Sequence, residues 1–129
     1  MPHFAFDHIH LRSPDPEATA AWYEAMLGAE VIRTVQQGQP RIDLKLGGQD
    51  IFIAPVAAGG GVAAPPMPPY QGLDHFGLQV QGIDAVAAAL QAKGVHFTML
   101  PREARPGLRI AFLRGPENVS IELLERRPA

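Results

Sequence analysis

The stretch Phe6-Asp7-His8-Ile9-His10-Leu11 decides how this chain reads, because it is written a second time as Leu73-Asp74-His75-Phe76-Gly77-Leu78. In both copies apolar residues alternate with others at period two, the pattern of a short β-strand. Alternation puts Phe6, His8 and His10 on one face and Asp7, Ile9 and Leu11 on the other. A shift of 67 positions carries His8 onto His75, and also superposes Ala18, Ala20 and Ala21 on Ala85, Ala87 and Ala88. Two histidines therefore stand at equivalent points of two equivalent modules, the signature of an internal duplication.

Outward from the first copy, Asp15 suits a helix N-cap and Pro16 the first helical position. Ala18, Ala21, Trp22, Ala25 and Met26 fit one buried helical stripe, which places Trp22 in the core, and Gly28 supplies the stop. Strands follow at 31–35, 41–46 and 50–54, so the first module, residues 4–55, reads β-α-β-β-β. Residues 56–72, with three successive glycines and the run Pro65-Pro66-Met67-Pro68-Pro69, read as a linker or mobile loop. The second module, 73–125, repeats the order: a helix over 84–93, a strand at 95–99, a proline-rich loop over 101–107 and a hairpin of 108–113 with 119–124. The expected fold class is α+β, with two tandem βαβββ modules in a single domain of 129 residues. Matching the two hairpins without gaps lays Arg41 on Arg109 and Ala54 on Glu122.

Composition narrows the function classes. A chain with 47% hydrophobic and 19% charged residues is ordinary for a globular domain. A net charge of −2 and a pI near 6.2 give no pull toward nucleic acid or an anionic membrane. No apolar run approaches the roughly 20 residues that a membrane span requires. Met1-Pro2-His3-Phe4 lacks the basic and apolar regions of a signal peptide, so cytoplasmic residence is the expectation. Without cysteine there is no disulfide, thiolate ligand or cysteine nucleophile.

Paired β-α-β-β-β modules, an Asp-His at the first strand of each, and the ending Pro116-Glu117-Asn118-Val119-Ser120-Ile121-Glu122-Leu123 resemble the vicinal oxygen chelate (VOC) superfamily. That group includes glyoxalase I, methylmalonyl-CoA epimerase, extradiol dioxygenases, fosfomycin-modifying enzymes and bleomycin-binding proteins. The resemblance runs over residues 6–125 and implies curved mixed sheets around a cleft that holds a divalent metal. It implies His8, His75 and Glu122 as metal ligands, with Ala54 in the fourth position, where glyoxalase I and the epimerase carry Glu or Gln. Two imidazoles and a carboxylate suit Fe(II), Mn(II), Zn(II), Ni(II) or Co(II) alike. An alanine in the fourth position argues against ordinary glyoxalase or epimerase chemistry and matches three-ligand members of the dioxygenase or fosfomycin-modifying type.

The expectation is thus a metal-dependent dioxygenase, lyase or isomerase whose small substrate chelates the metal through adjacent oxygens. The alternatives are a glyoxalase- or epimerase-like enzyme, and a metal-free drug- or metabolite-binding protein of the bleomycin-resistance kind. His10, on the face of His8, is the candidate for proton transfer, with a packing histidine as the alternative. Arg102 and Arg105, beside the closing loop, and Tyr70 are the candidates for contact with substrate. His3 and His96 look incidental. The resemblance also implies a homodimer, with the cleft within one chain or shared between two.

Overall fold

In the computed structural model, which describes residues 3–128, the first module runs β1 (His8–Ser13), α1 (Pro16–Leu27), β2 (Glu30–Gln36), β3 (Gln39–Leu46) and β4 (Gln49–Pro55). Its four strands lie in the order β1-β4-β3-β2. β1 pairs with β4 in parallel, and the other two pairings are antiparallel. Two-residue turns at Gln37-Gly38 and Gly47-Gly48 close these hairpins, all four residues at positive φ as such turns require. The second module runs β5 (Phe76–Gln79), α2 (Ile83–Ala92), β6 (Phe97–Arg105), β7 (Leu108–Arg114), a 3-10 turn (Pro116–Asn118) and β8 (Ser120–Arg126). Its sheet has the matching order β5-β8-β7-β6. The chain divides into two compact units between Val62 and Ala63. Among the described residues no helix is long and apolar enough to cross a membrane.

Each module buries one face of its sheet under its own helix. In the first, Ala20 and Tyr23 of α1 cover Ile42, Leu44, Ile51 and Ile53; in the second, Ala87 and Leu90 of α2 cover Ala111, Leu113, Ile121 and Leu123. These are the same positions under the duplication. α1 begins as its residue types dictate, with Asp15 Oδ1 accepting from the Ala18 N–H and Pro16 in the first turn. It ends on Gly28 in the left-handed region. α2 has no such local cap: the carboxylate of Glu125, reaching from β8, accepts from the Gly82 and Ile83 N–H groups.

Three expectations are corrected. The buried stripe of α1 is Thr19, Ala20 and Tyr23, whereas Ala18, Ala21 and Ala25 are exposed and Trp22 is half-buried with its ring edge on Tyr23. Alanines define no face by themselves. The large side chain that fills the space over the sheet is Tyr23, fully buried, with its phenol pushed above its usual pKa by that burial. Second, residues 101–105 belong to strand β6, so Arg102 and Arg105 sit on a strand and not in a loop. Pro101 is tolerated there because β6 is the sheet edge and its ladder with β7 is broken by register shifts.

The third correction concerns register. His10 lies opposite Phe52 on β4, and Gly77, which is His10 moved by 67, lies opposite Glu122 on β8. Phe52 is therefore the counterpart of Glu122, and Ala54 is two residues further along the strand. The gap-free match failed at the connections: two residues join β3 to β4, but residues 115–119 join β7 to β8. In the middle strand the slip is a single residue, which reverses the face. Arg41 lies over the Phe52 ring, while Arg109 reaches the other way to Asp84 of α2.

Candidate metal and substrate site

The face of each sheet turned away from its helix carries the polar residues singled out in the sequence. In the second module, His75 stands immediately before β5 and Glu122 on β8 beside it. The two approach to 3.3 Å between Nε2 and Oε1. The other ring nitrogen, Nδ1, lies 2.7 Å from Asp74 Oδ2. With the proton on Nδ1, toward Asp74, Nε2 would present its lone pair. In neutral His75 that lone pair meets the lone pairs of the Glu122 carboxylate. Two acceptors at this separation repel unless a proton or a metal cation stands between them. The donor set thus fits a divalent metal.

Gly77 lies beside the carboxylate, and its lack of a side chain relieves a close contact with Leu124. A side chain there would meet Leu124 Cδ2 at 3.2 Å and Glu122 Oε1 at 3.5 Å. Phe112 of β7, opposite Glu122 in the ladder, sets its ring edge against the His75 ring.

The first module repeats half of this arrangement. His8 Nδ1 lies 2.7 Å from Asp7 Oδ2, the same pairing as that of His75 with Asp74. Its ring rests on Phe52, with centroids 4.1 Å apart, where His75 meets a carboxylate. His10 stands edge-on to both rings at about 6 Å. A carboxylate is present one strand further over: Asp43, opposite Phe52 on β3, accepts from Arg41 Nε at 2.7 Å. Relative to the second module, phenylalanine and carboxylate have exchanged strands, Asp43-Phe52 against Phe112-Glu122.

The sequence candidates are thus distributed as follows. His75 and Glu122 are brought together, and His8 with His10 sits on the equivalent face of the other unit. Among the described residues no group of three His, Cys, Asp or Glu side chains is gathered closely enough to hold a metal. Arg102 pairs with Ile110, which pairs with Leu124, and so falls on the Glu122 face two strands away; Arg105 lies at the far end of that hairpin. Tyr70 is part of an irregular segment outside the strands. Phe52, Arg41, Asp43 and Gly77 were not singled out in advance. Strand alternation alone would have put Arg41, Asp43 and Phe52 on one face, given the correct register. A cavity of the first module, about 650 Å³, lies near Pro16, Arg33 and Ile53; Arg41 lines it, and none of the residues singled out in the sequence as site candidates does.

Comparison with known proteins bears on this arrangement. A family model described as the Glyoxalase/Bleomycin resistance protein/Dioxygenase superfamily matches residues 5–123. Among solved structures, a glyoxalase family protein from Enterococcus faecalis is 28% identical, with 94% of this chain and 97% of that one covered and a TM-score of 0.70. A glyoxylase/bleomycin resistance protein/dioxygenase domain from Frankia sp. EAN1pec is 22% identical over 98% of this chain and 100% of that one, with a TM-score of 0.74. The fosfomycin resistance protein FosX from Listeria monocytogenes is 20% identical over 96% and 94%, with a TM-score of 0.71. Among curated proteins the chain finds no match.

Proposed function

The chain belongs to the Glyoxalase/Bleomycin resistance protein/Dioxygenase superfamily, and from that premise we propose that it is a metal-dependent enzyme whose small substrate chelates a divalent metal through adjacent oxygens. The observation that carries this reading is the 3.3 Å approach of His75 Nε2 to Glu122 Oε1 while Asp74 occupies Nδ1. The superfamily resemblance implies His8, which meets Asp7 in the same way, as the third ligand. When bound, the metal supplies Lewis acidity to the substrate's oxygens. The protein's share is to fix both imidazole tautomers through Asp7 and Asp74, to contribute one negative charge through Glu122, and to leave positions open for two substrate oxygens. His10, on the His8 face, exchanges a proton with the bound substrate. Arg102, on the Glu122 face, contacts the substrate's outer part; Arg105 and Tyr70 are more distant contacts.

Phe52 in the slot equivalent to Glu122 favours the three-ligand chemistries, dioxygenase or fosfomycin-modifying in type, over proton transfer by a fourth carboxylate ligand. The stack of His8 on Phe52 favours a second reading, a metal-free binder of a planar drug or metabolite. Metal analysis of protein purified without chelator separates the two. Glu122→Gln keeps the side chain's volume and removes its charge. It should lower Mn(II) affinity by about 100-fold or more, judged against the 10- to 100-fold that a mere supporting residue commands. Unchanged affinity in that variant would overturn the site. The protein acts as a homodimer in this reading, and sedimentation showing only monomer at micromolar concentration would contradict it.

A further inference from the structure

The duplication isolates one feature of the first module, at the end of its sheet where α1 begins. With Phe52 the counterpart of Glu122, Pro55 is the counterpart of Glu125; with Asp43 the counterpart of Phe112, Pro40 is the counterpart of Arg109. In the second module these positions carry charge and tie down the start of the helix. Glu125 accepts from the Gly82 and Ile83 N–H groups, and Arg109 donates to Asp84 at 2.6 Å. Two prolines supply neither charge nor N–H, and α1, capped by its own Asp15, takes nothing from them. Glu17, which is Asp84 moved by 67, reaches instead to Arg33 of β2, with Nη2 2.8 Å from Oε2. Where the second module has its ion pairs, the first has the cavity of about 650 Å³, lined by Pro40, Pro55, Glu17 and Arg33.

The lining defines the chemistry of an occupant. Ile42 and Ile53, paired across β3 and β4 and both buried, contribute apolar surface, as does Val35, which lies opposite Pro40 and is 72% exposed. Pro14 and Pro16 join Pro40 and Pro55, so four of the lining residues have φ fixed near about −65° and the shape is preorganised. The charges of the lining are already matched. Arg33 donates to both oxygens of Glu17, Arg41 donates to Asp43 and Gln36, and Asp15 accepts from the Ala18 N–H. A charged ligand would have to compete with these pairs; an uncharged one would leave them intact. Apolar surface rimmed by polar groups marks an interaction site, and covering it is favourable whatever the partner's shape. Size decides between partners. The volume falls within the roughly 300–1,000 Å³ of small-molecule sites, and twelve lining residues are short of the about 20 to 30 that each side of a stable protein interface presents.

We infer that this cavity, between the start of α1 and the ends of β2, β3 and β4, is a binding site for an uncharged, apolar small molecule, aromatic or alicyclic. Its lining belongs entirely to the first unit, so the site stands whether or not the metal-dependent reading does. The second module closes the same place with its own charges and has no such site to offer there.

The test titrates the full chain with N-phenylnaphthylamine, an uncharged probe whose fluorescence rises in an apolar site. Anilinonaphthalene sulfonate, the same skeleton with a fixed negative charge, is the control. Methyl NMR should place the neutral probe at Val35, Ile42 and Ile53, and the sulfonate should bind about tenfold more weakly or less, since a charge pays for desolvation and gains no free partner. Val35→Glu, at an exposed side chain, should weaken the neutral probe about tenfold, the low end of what one group on an apolar pocket wall commands. The Pro40→Arg/Pro55→Glu pair, which writes the second module's charges into the first, should abolish binding. Equal or tighter binding of the sulfonate, unchanged affinity in Val35→Glu, or methyl shifts confined to residues outside the lining overturns the site. So does a parent protein that takes neither probe.

Discussion

The two modules share a backbone plan and a core, and they part company along one row of side chains. In the second, Gly77 stands opposite Glu122, whose carboxylate approaches His75. In the first, the equivalent positions are His10 and Phe52, and three rings fill the same region. What both keep is the aspartate on the histidine Nδ1, at 2.7 Å in each. A core histidine needs no such orientation of its outward nitrogen. Both modules thus set an aspartate behind the histidine, and they differ in what stands beside its ring, a carboxylate in the second and a phenylalanine in the first.

Breaking the shared feature should have the largest effect after the loss of the Glu122 charge. Asp74→Asn and Asp7→Asn each keep a hydrogen-bond partner on Nδ1 but withdraw its charge. Each should cost about 10- to 100-fold in Mn(II) affinity, the usual worth of a carboxylate behind a histidine ligand. Comparable losses from both modules are expected in calorimetric titrations. If Asp7→Asn binds Mn(II) like the parent while Asp74→Asn does not, His8 is no ligand and the site belongs to the second module alone.

Erasing the difference should have the next largest. Phe52→Glu places a carboxylate where the second module has Glu122, and ligand charge count tunes metal affinity in steps of about tenfold. Mn(II) binding should tighten by about that factor, while turnover falls because the fourth protein ligand competes with the substrate's oxygens. Ala54→Glu, two residues further along β4, should leave Mn(II) affinity unchanged. Tightening in the Ala54 variant and not in the Phe52 variant would restore the gap-free alignment and refute the strand register.

What was legible in the sequence was local or repeated. Asp15-Pro16 and Gly28 bound a helix through short-range hydrogen bonds and backbone conformations that a few residues determine. The Asp-His recurrence set the two first strands in register with one another, and the superfamily and its α+β fold followed from it. Pairing across a connection of unequal length was not legible. Two residues against five between the last strands moved the counterpart of Glu122 from Ala54 to Phe52. Strand β6 was hidden by Pro101, since a proline reads as a break unless the strand is known to be an edge. The rotation of α1 was hidden by its alanines, which are equally at home on either side of a helix. His75 and Glu122 were nameable together only through resemblance, because 47 residues separate them in sequence.

The smallest expected effect lies in how the two helices are capped. Asp15 caps α1 from the adjacent residue, so Asp15→Ala should cost about 1 kcal/mol of stability, as helix N-caps do. Its consequences should stay in the first turn of α1. Glu125 caps α2 from β8, and it also holds Arg127. The backbone N–H groups, Gly82 first, together with Arg127 hold its carboxyl below the usual range. A lowered folded-state pKa means that the contribution is fully present above the ordinary carboxylate pKa and is lost as pH falls through the lowered value. Glu125→Gln removes the charge at every pH, so acidification should destabilise the parent more than the variant. Hydrogen exchange should then show lost protection at Gly82 and Ile83 spreading into α2 and the end of β8, because one side chain ties the two together. If Glu125→Gln loosens no more of the molecule than Asp15→Ala loosens of α1, the cross-sheet cap is only a local contact, and the modules hold their helices in the same way.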